Sequence, residues 1–343
     1  MQGEKGRRLV VLDGLRGIAA ICVMLYHLGN FFGFGGPFMA GYLFVDFFFL
    51  LSGFVLALSI EPRFAHGWST AGFMRARVVR LWPVIAVGAL AGAMTYGIRG
   101  GWEDVPVYTA LALLMLPLAM PGAAAREIFP LNPPQWSLLF EVLANLMHGL
   151  VLRRLRDGAL LAVALAFAVP LVWFSMRHGN NSLGPDTKDW YLGLPRVGFA
   201  YTLGVWMGRR HAREPRKARV KLPVALMLPL LAMVVASVLR TNSWIIDSVV
   251  VLVAFPGAIW LASATPPGRA APLLELLGSL SFPIYAVHLP IVTVFAFVSN
   301  SLLSAVAAVL ASLIASWLLA VLLERRHLRK PRTAAAPVTP AEA

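Results

Sequence analysis

The sequence predicts an all-α, polytopic membrane protein of about ten spanning helices plus one short segment that does not cross. Two observations carry this expectation. The chain has 343 residues, 59% of them hydrophobic and only 13% charged, and a soluble protein of that length cannot keep so little charge at its surface. Eleven apolar segments also recur along it, near 9–28, 39–60, 82–98, 106–120, 136–152, 158–175, 192–208, 222–239, 244–262, 280–299 and 302–323. Most have the length that a bilayer requires.

The net charge of +14 suggests nucleic acid until its distribution is read. Of 30 Lys and Arg residues, 22 fall in five clusters: Lys5–Arg8, Arg63–Arg80, Arg153–Arg156, Arg209–Lys221 and Arg325–Arg332. Each lies between or beyond apolar segments, as the positive-inside rule produces, so no nucleic-acid partner is expected. With these clusters in the cytoplasm, neighbouring clusters must be separated by an even number of crossings. Only the interval from Arg80 to Arg153, with three segments, breaks that parity. Segment 106–120, short and ending in Pro117 and Pro121, is the one expected not to span. Both termini then lie in the cytoplasm. Residues 1–8 form a cytoplasmic start, 9–323 the membrane domain, and 324–343 a basic and then disordered tail. The basic start and first apolar run mimic a signal peptide, but Asp13 and Arg16 inside that run argue against cleavage.

The first segment, LVVLDGLRGIAAICVMLYHL, carries Asp13, Arg16 and His27. At about 100° per residue, Arg16 and His27 are nearly eclipsed and Asp13 lies within about 60° of both. Arg16 and His27 stand roughly 16 Å apart along the axis. Each charge in a spanning helix is costly, so this polar stripe must face protein or water and marks a functional face. Cys22, the sole cysteine, points the opposite way from Asp13 and excludes an internal disulfide. In the second segment Asp46 shares a face with Gly53. It is expected to pair with Arg16 or His27, which satisfies a buried charge and is compatible with orienting a catalytic group.

Between segments, FMRARVVRLWP places Arg75, Arg77 and Arg80 at the cytoplasmic surface. They serve either as membrane anchors or as forked donors for phosphates. In NPPQWSLLFEVLANLMHGL, Ser137, Glu141, Asn145 and His148 share one face. Glu141 is expected at the depth of His27, where a carboxylate and an imidazole would tune one another for proton transfer. His148 reads as a packing residue. Trp190, Tyr191, Arg196 and Tyr201 fit a carbohydrate or lipid path and an aromatic belt equally well. In SLSFPIYAVHLPI, Ser281, Tyr285 and His288 share a face between Pro283 and Pro290. No His/Cys/Asp cluster has metal-ligand spacing, so no metal is expected.

LDGLRGIAAICVMLYH, FFFLLSGFVLALS, RVVR followed by LWP, WSLLFE and SFPIYAVHLP together, in that order, resemble acyltransferase family 3. These are integral membrane O-acyltransferases, chiefly bacterial, and the resemblance runs from about residue 9 to 323. It implies a ten-helix core in the cytoplasmic membrane. That core moves an acyl group, usually acetyl, from cytoplasmic acyl-CoA to a hydroxyl of a cell-envelope glycan, lipid-linked saccharide or secreted metabolite. Arg16 and His27 match the family's Arg–His pair, Arg77 and Arg80 its cytoplasmic RxxR, and Glu141 its acid after Trp-Ser-Leu. Some relatives carry a fused extracytoplasmic hydrolase-like domain that is missing here, so acceptor choice is expected from loops or an envelope partner protein.

The expected roles follow from both readings. Acetyl-CoA phosphates would dock on Arg75, Arg77 and Arg80, and the pantetheine arm would pass Arg16 toward His27. His27 would act as general base, with Asp13, Asp46 or Glu141 fixing its tautomer. Arg16 or a backbone amide would hold the oxyanion. Trp136, Ser137, Tyr285 and His288 would contact substrate. Direct transfer and an acyl-histidine or acyl-serine intermediate both fit. The rival is a proton-coupled transporter or flippase using the same charges.

Overall fold

The computed structural model describes residues 9–118, 125–214, 220–239 and 243–328. The basic cluster at Lys5–Arg8, part of the cluster at 209–221 and the tail from 329 lie outside the described residues. The α-helices are α1 (Val10–Phe32), α2 (Phe44–Ser59), α3 (Glu61–Ala65), α4 (Thr70–Tyr96), α5 (Val105–Leu113), α6 (Gln135–Leu150) and α7 (Asp157–His178). They continue as α8 (Gly193–Arg213), α9 (Leu222–Val238), α10 (Ser243–Val249), α11 (Phe255–Ser263), α12 (Ala271–Val298) and α13 (Leu302–Leu328). Among the described residues the β structure is one isolated bridge, Glu127 to Asp186.

Among the described residues, eight helical stretches are long and apolar enough to cross a membrane. They are α1, α2 continued by α3, α4, α6, α7, α10 joined to α11, α12 and α13. A wider π-helical turn at Val250–Ala254 makes α10 and α11 one rod, Ser243–Ser263. The remaining two segments of the predicted ten, α8 and α9, do not meet that standard. α8 has 21 residues and a lower hydropathy because it carries Arg196 and a basic last turn. α9 is apolar and 17 residues long.

The segment predicted not to span is indeed short. Among its described residues the helix is Val105–Leu113, 9 residues, or about 14 Å against a hydrocarbon core of about 30 Å. Carbonyls in a last helical turn lack partners in their own helix. Here Gln135 Nε2 donates to the Ala112 carbonyl at 2.6 Å and the Trp82 indole to that of Leu113 at 3.1 Å. Those two bonds tie α5 to α6 and α4.

Lipid offers no hydrophobic drive for helices to associate, so small residues set how closely they pack. α2 lies against α8, and a Cβ at Gly53 would stand 2.1 Å from the Tyr201 carbonyl oxygen. α1 lies along α12, with a Cβ at Gly17 reaching within 2.3 Å of the Leu277 carbonyl oxygen. This approach lets the polar stripe of α1 meet that of α12. Pro290 has no N–H, so the Ala286 carbonyl lacks its helical partner. Asn132 Nδ2 takes that place at 2.8 Å, fixing the loop before α6 onto α12. That loop is in turn bonded to the one before α8: Ile128 N–H to the Pro185 carbonyl at 2.9 Å, and Thr187 N–H to that of Arg126 at 2.8 Å. The two loops roof the end of the bundle where His27 lies.

Candidate active site

The polar side chains form a column with two ends. At the basic end, Arg16 on α1 ion-pairs with Asp13 at 3.2 Å, one turn earlier. Its Nε donates to Ser281 Oγ at 2.9 Å and its Nη2 to the Gly278 carbonyl at 3.1 Å, both on α12. On the facing side, Arg77 Nη2 donates to Glu141 Oε1 at 2.6 Å, and Ser52 Oγ to the same oxygen at 3.0 Å. Arg80 completes this group, close enough to feel the charges of Arg77, Arg16, Glu141 and Asp13. Its side chain is exposed. Arg75 is exposed at the surface.

Three of these positions differ from the sequence expectation. Glu141 does not meet His27; its partners are Arg77 and Ser52. The one-turn spacing from Ser137 to Glu141 carries the carboxylate toward the basic end, where α4 presents Arg77. Arg77 is thus a half-buried ion-pair partner, whereas Arg75 and Arg80 keep their charge at an accessible surface. Arg16 lies about 16 Å along α1 from His27, too far to hold an oxyanion formed beside that ring.

The column continues through α12, where Ser281, Tyr285 and His288 are spaced to share one face. Ser137 Oγ and Tyr285 Oη lie 2.6 Å apart, and the Tyr285 hydroxyl is also 3.2 Å from the Pro134 carbonyl. Both side chains are buried, so one hydroxyl donates to that carbonyl and the other to its neighbour. At the far end His27 lies between Tyr26 and His288, with ring centroids 4.9 and 5.3 Å away. It borders a cavity of about 70 Å³ walled by Val23, Val45, Pro133, Pro134 and Tyr285, with Trp136 and Ser182 at its roof. Among the described residues no carboxylate hydrogen-bonds His27. The expectation that Asp13, Asp46 or Glu141 fixes its tautomer by direct contact is not met.

Asp46 pairs with Arg196, not with Arg16 or His27. Arg196 Nε donates to Oδ1 at 3.2 Å and Nη2 to Oδ2 at 2.7 Å, and both side chains are only 1% exposed. The cause is the packing of α2 on α8, which sets the first turns of the two helices side by side. Arg196 also donates to the carbonyls of Leu183 and Tyr42 at 2.7 and 3.2 Å, and its guanidinium lies 5.2 Å from the Trp136 ring centroid. It is a strap under the cavity roof. Asn181 links Asp46 to Asp247 through its Nδ2 and backbone N–H, at 3.2 and 2.9 Å, and Tyr42 Oη donates to Asp247 at 2.6 Å.

Sequence reading missed Asp247 and Asn181. An acid within the apolar run WIIDSVVV was signal enough for the first; nothing local marks the second. His148 is the expected packing residue, fully buried between Tyr201 Oη at 3.0 Å and Glu61 at 3.1 Å. Among the described residues no group of His, Cys, Asp and Glu is arranged to hold a metal.

Chemically, the column offers cations at one end and an imidazole bordering a small apolar cavity at the other. The family model for the acyltransferase domain matches residues 9–324. Protein 2 in the picA locus of Rhizobium radiobacter is 34% identical over 165 residues, which cover 43% of this chain and 85% of that relative. No solved structure matches the chain significantly. The chain therefore belongs to acyltransferase family 3, and it is a multi-pass membrane acyltransferase.

Proposed function

We propose that the protein carries an acetyl or other short acyl group from cytoplasmic acyl-CoA to a hydroxyl of an envelope glycan, lipid-linked saccharide or secreted metabolite. The single observation behind this reading is that the two requirements of such a transfer stand at opposite ends of one polar column. The basic end faces the cytoplasm by the positive-inside rule, with both termini there, in the bacterial inner membrane.

Arg75 and Arg80 bind the coenzyme phosphates, and Arg77, held by Glu141, stands beside them. Arg16, Ser281 and the Ser137–Tyr285 pair flank the path of the pantetheine arm toward His27. A cavity of about 70 Å³ has the space of about two water molecules, which suits a short acyl chain. His27 takes the proton of the acceptor hydroxyl as its oxygen attacks the thioester carbonyl. Tyr26, which borders the cavity beside His27, supplies an O–H donor for the oxyanion. On collapse the C–S bond breaks and the thiolate takes the proton from His27. Acceptor and coenzyme thus exchange one acyl group and one proton.

The test uses inverted membrane vesicles supplied with acetyl-labelled coenzyme A. Label is followed into glycan, lipid and small-molecule fractions. His27→Ala is expected to lower the rate by about 10²- to 10⁴-fold, the usual weight of a general base, at unchanged protein level. Transfer at the wild-type rate by His27→Ala would remove His27 from this role. No transfer by the folded wild type to any fraction would favour a transporter.

A further inference from the structure

The structure assigns His288 a role that rests on the reading just given: it is the positioning residue that fixes the tautomer and ring orientation of His27. His288 is fully buried on α12. Its Nδ1 lies 2.9 Å from the Ile284 carbonyl oxygen. A carbonyl only accepts, so Nδ1 carries the proton. The other ring nitrogen, Nε2, is buried with no hydrogen-bond partner. An imidazolium would leave a charged, unpaired N–H in an apolar interior, so the ring is neutral and Nε2 presents a bare lone pair. A buried acceptor without a donor is uncommon and calls for an explanation.

The ring beside it is His27, with centroids 5.3 Å apart and planes inclined by 39°. A ring nitrogen lies about 1.2 Å from its centroid, so at this spacing two facing nitrogens stand about 3 Å apart, the length of an N–H···N bond. A rotation of the His27 ring that turns one nitrogen toward His288 Nε2 closes that bond, as catalytic contacts often tighten only when substrate is bound. Its consequence is specific. Once one His27 nitrogen donates to His288, the other must present its lone pair, and that lone pair is the base required at the cavity. The carboxylate sought for this task is replaced by a second imidazole. Its own proton is tied down by a helix carbonyl, and the Asn132 bond to Ala286 steadies α12 half a turn earlier.

Two variants and a spectrum test the dyad. His288→Phe keeps a ring and removes the acceptor; it is expected to lower kcat by about 10- to 100-fold with the KM for acetyl-CoA within about twofold. His288→Gln, whose amide oxygen takes the place of Nε2, is expected to recover most of that loss. Phe at wild-type kcat, or Gln as impaired as Phe, overturns the assignment. Nitrogen-15 spectra of histidine-labelled protein in lipid nanodiscs read the rings without any turnover. His288 is expected as the Nδ1–H tautomer, and His288→Gln is expected to shift the His27 ring nitrogens. His27 signals that ignore the substitution overturn the dyad. A wild type that transfers no acyl group defeats the proposed function instead, because the spectrum does not depend on it.

Discussion

Two sets of charges are built into this bundle, and they are finished differently. At the cavity end, Asp46 and Arg196 are each 1% exposed, and every guanidinium nitrogen of Arg196 donates to an oxygen. At the basic end, the side chains of Asp13, Arg16, Arg77 and Glu141 are 14–32% exposed, and Arg77 Nε is buried with no partner. A fully satisfied buried pair has nothing left to offer a ligand. Its task is to hold α2, α8 and the roof loop in one arrangement. A pair left partly open keeps donors and charge for something that arrives. Burial and completeness of hydrogen bonding therefore separate scaffold charges from working charges, though both kinds look alike in the sequence.

The sharpest way to break this distinction is at Arg196. Arg196→Met leaves Asp46 buried beside Asn181 with no cation. Losing one partner of a buried pair costs about 3–5 kcal/mol, because the remaining charge is stranded. A large fall in the unfolding midpoint in detergent is expected. Replacing both partners, as Asp46→Leu with Arg196→Met, is expected to regain much of the loss, since the penalty belongs to the stranded charge. A single variant as stable as the wild type would show that the strap is not structural.

Glu141→Gln tests the other half and should invert the pattern. Glutamine keeps an acceptor for Arg77 and Ser52 but removes the negative charge that offsets Arg77, Arg80 and Arg16. With the site partly open to water, stability is expected to fall by only about 1 kcal/mol. Acyl transfer is expected to fall by about 10-fold or more, measured in the vesicle assay. A large stability loss with normal turnover would move Glu141 to the scaffold.

This division also explains what could be read from the sequence. The helical membrane bundle was legible because apolar run length and basic clusters are local properties, and segment 106–120 was marked as short by its prolines and by parity. The polar face of α1 was legible too, since Asp13, Arg16 and His27 follow one helical period. Pairings were not. Whether Asp46 meets Arg16, His27 or Arg196 depends on which helix lies against α2, and that is decided by close contacts at Gly53 on α2 and Gly204 on α8, a partner about 150 residues away that the local sequence does not name. Depth was misjudged for Glu141, which stands with Arg77 and Ser52 and not beside His27. His288 was found as a face-sharing residue, but its orphaned Nε2 is a property of packing alone.

The smallest effect is expected at the exposed limit of the same scale. Arg213 donates to Asp157 from both terminal nitrogens, at 2.6 and 2.9 Å, a geometry better than that of several buried contacts. Yet Arg213 is 60% exposed, so water competes for both groups and ordering a long side chain offsets the attraction. Asp157 also has independent support. It opens α7, where the helix dipole favours an acid, and Arg209 stands 3.8 Å away. Arg213→Gln is therefore expected to leave the unfolding midpoint and acyl transfer unchanged within the reproducibility of either measurement, at low and high salt alike. A clear loss would mean that short contact distance, more than burial and completeness, ranks the ion pairs of this protein, and the distinction drawn between Arg196 and Glu141 would fall with it.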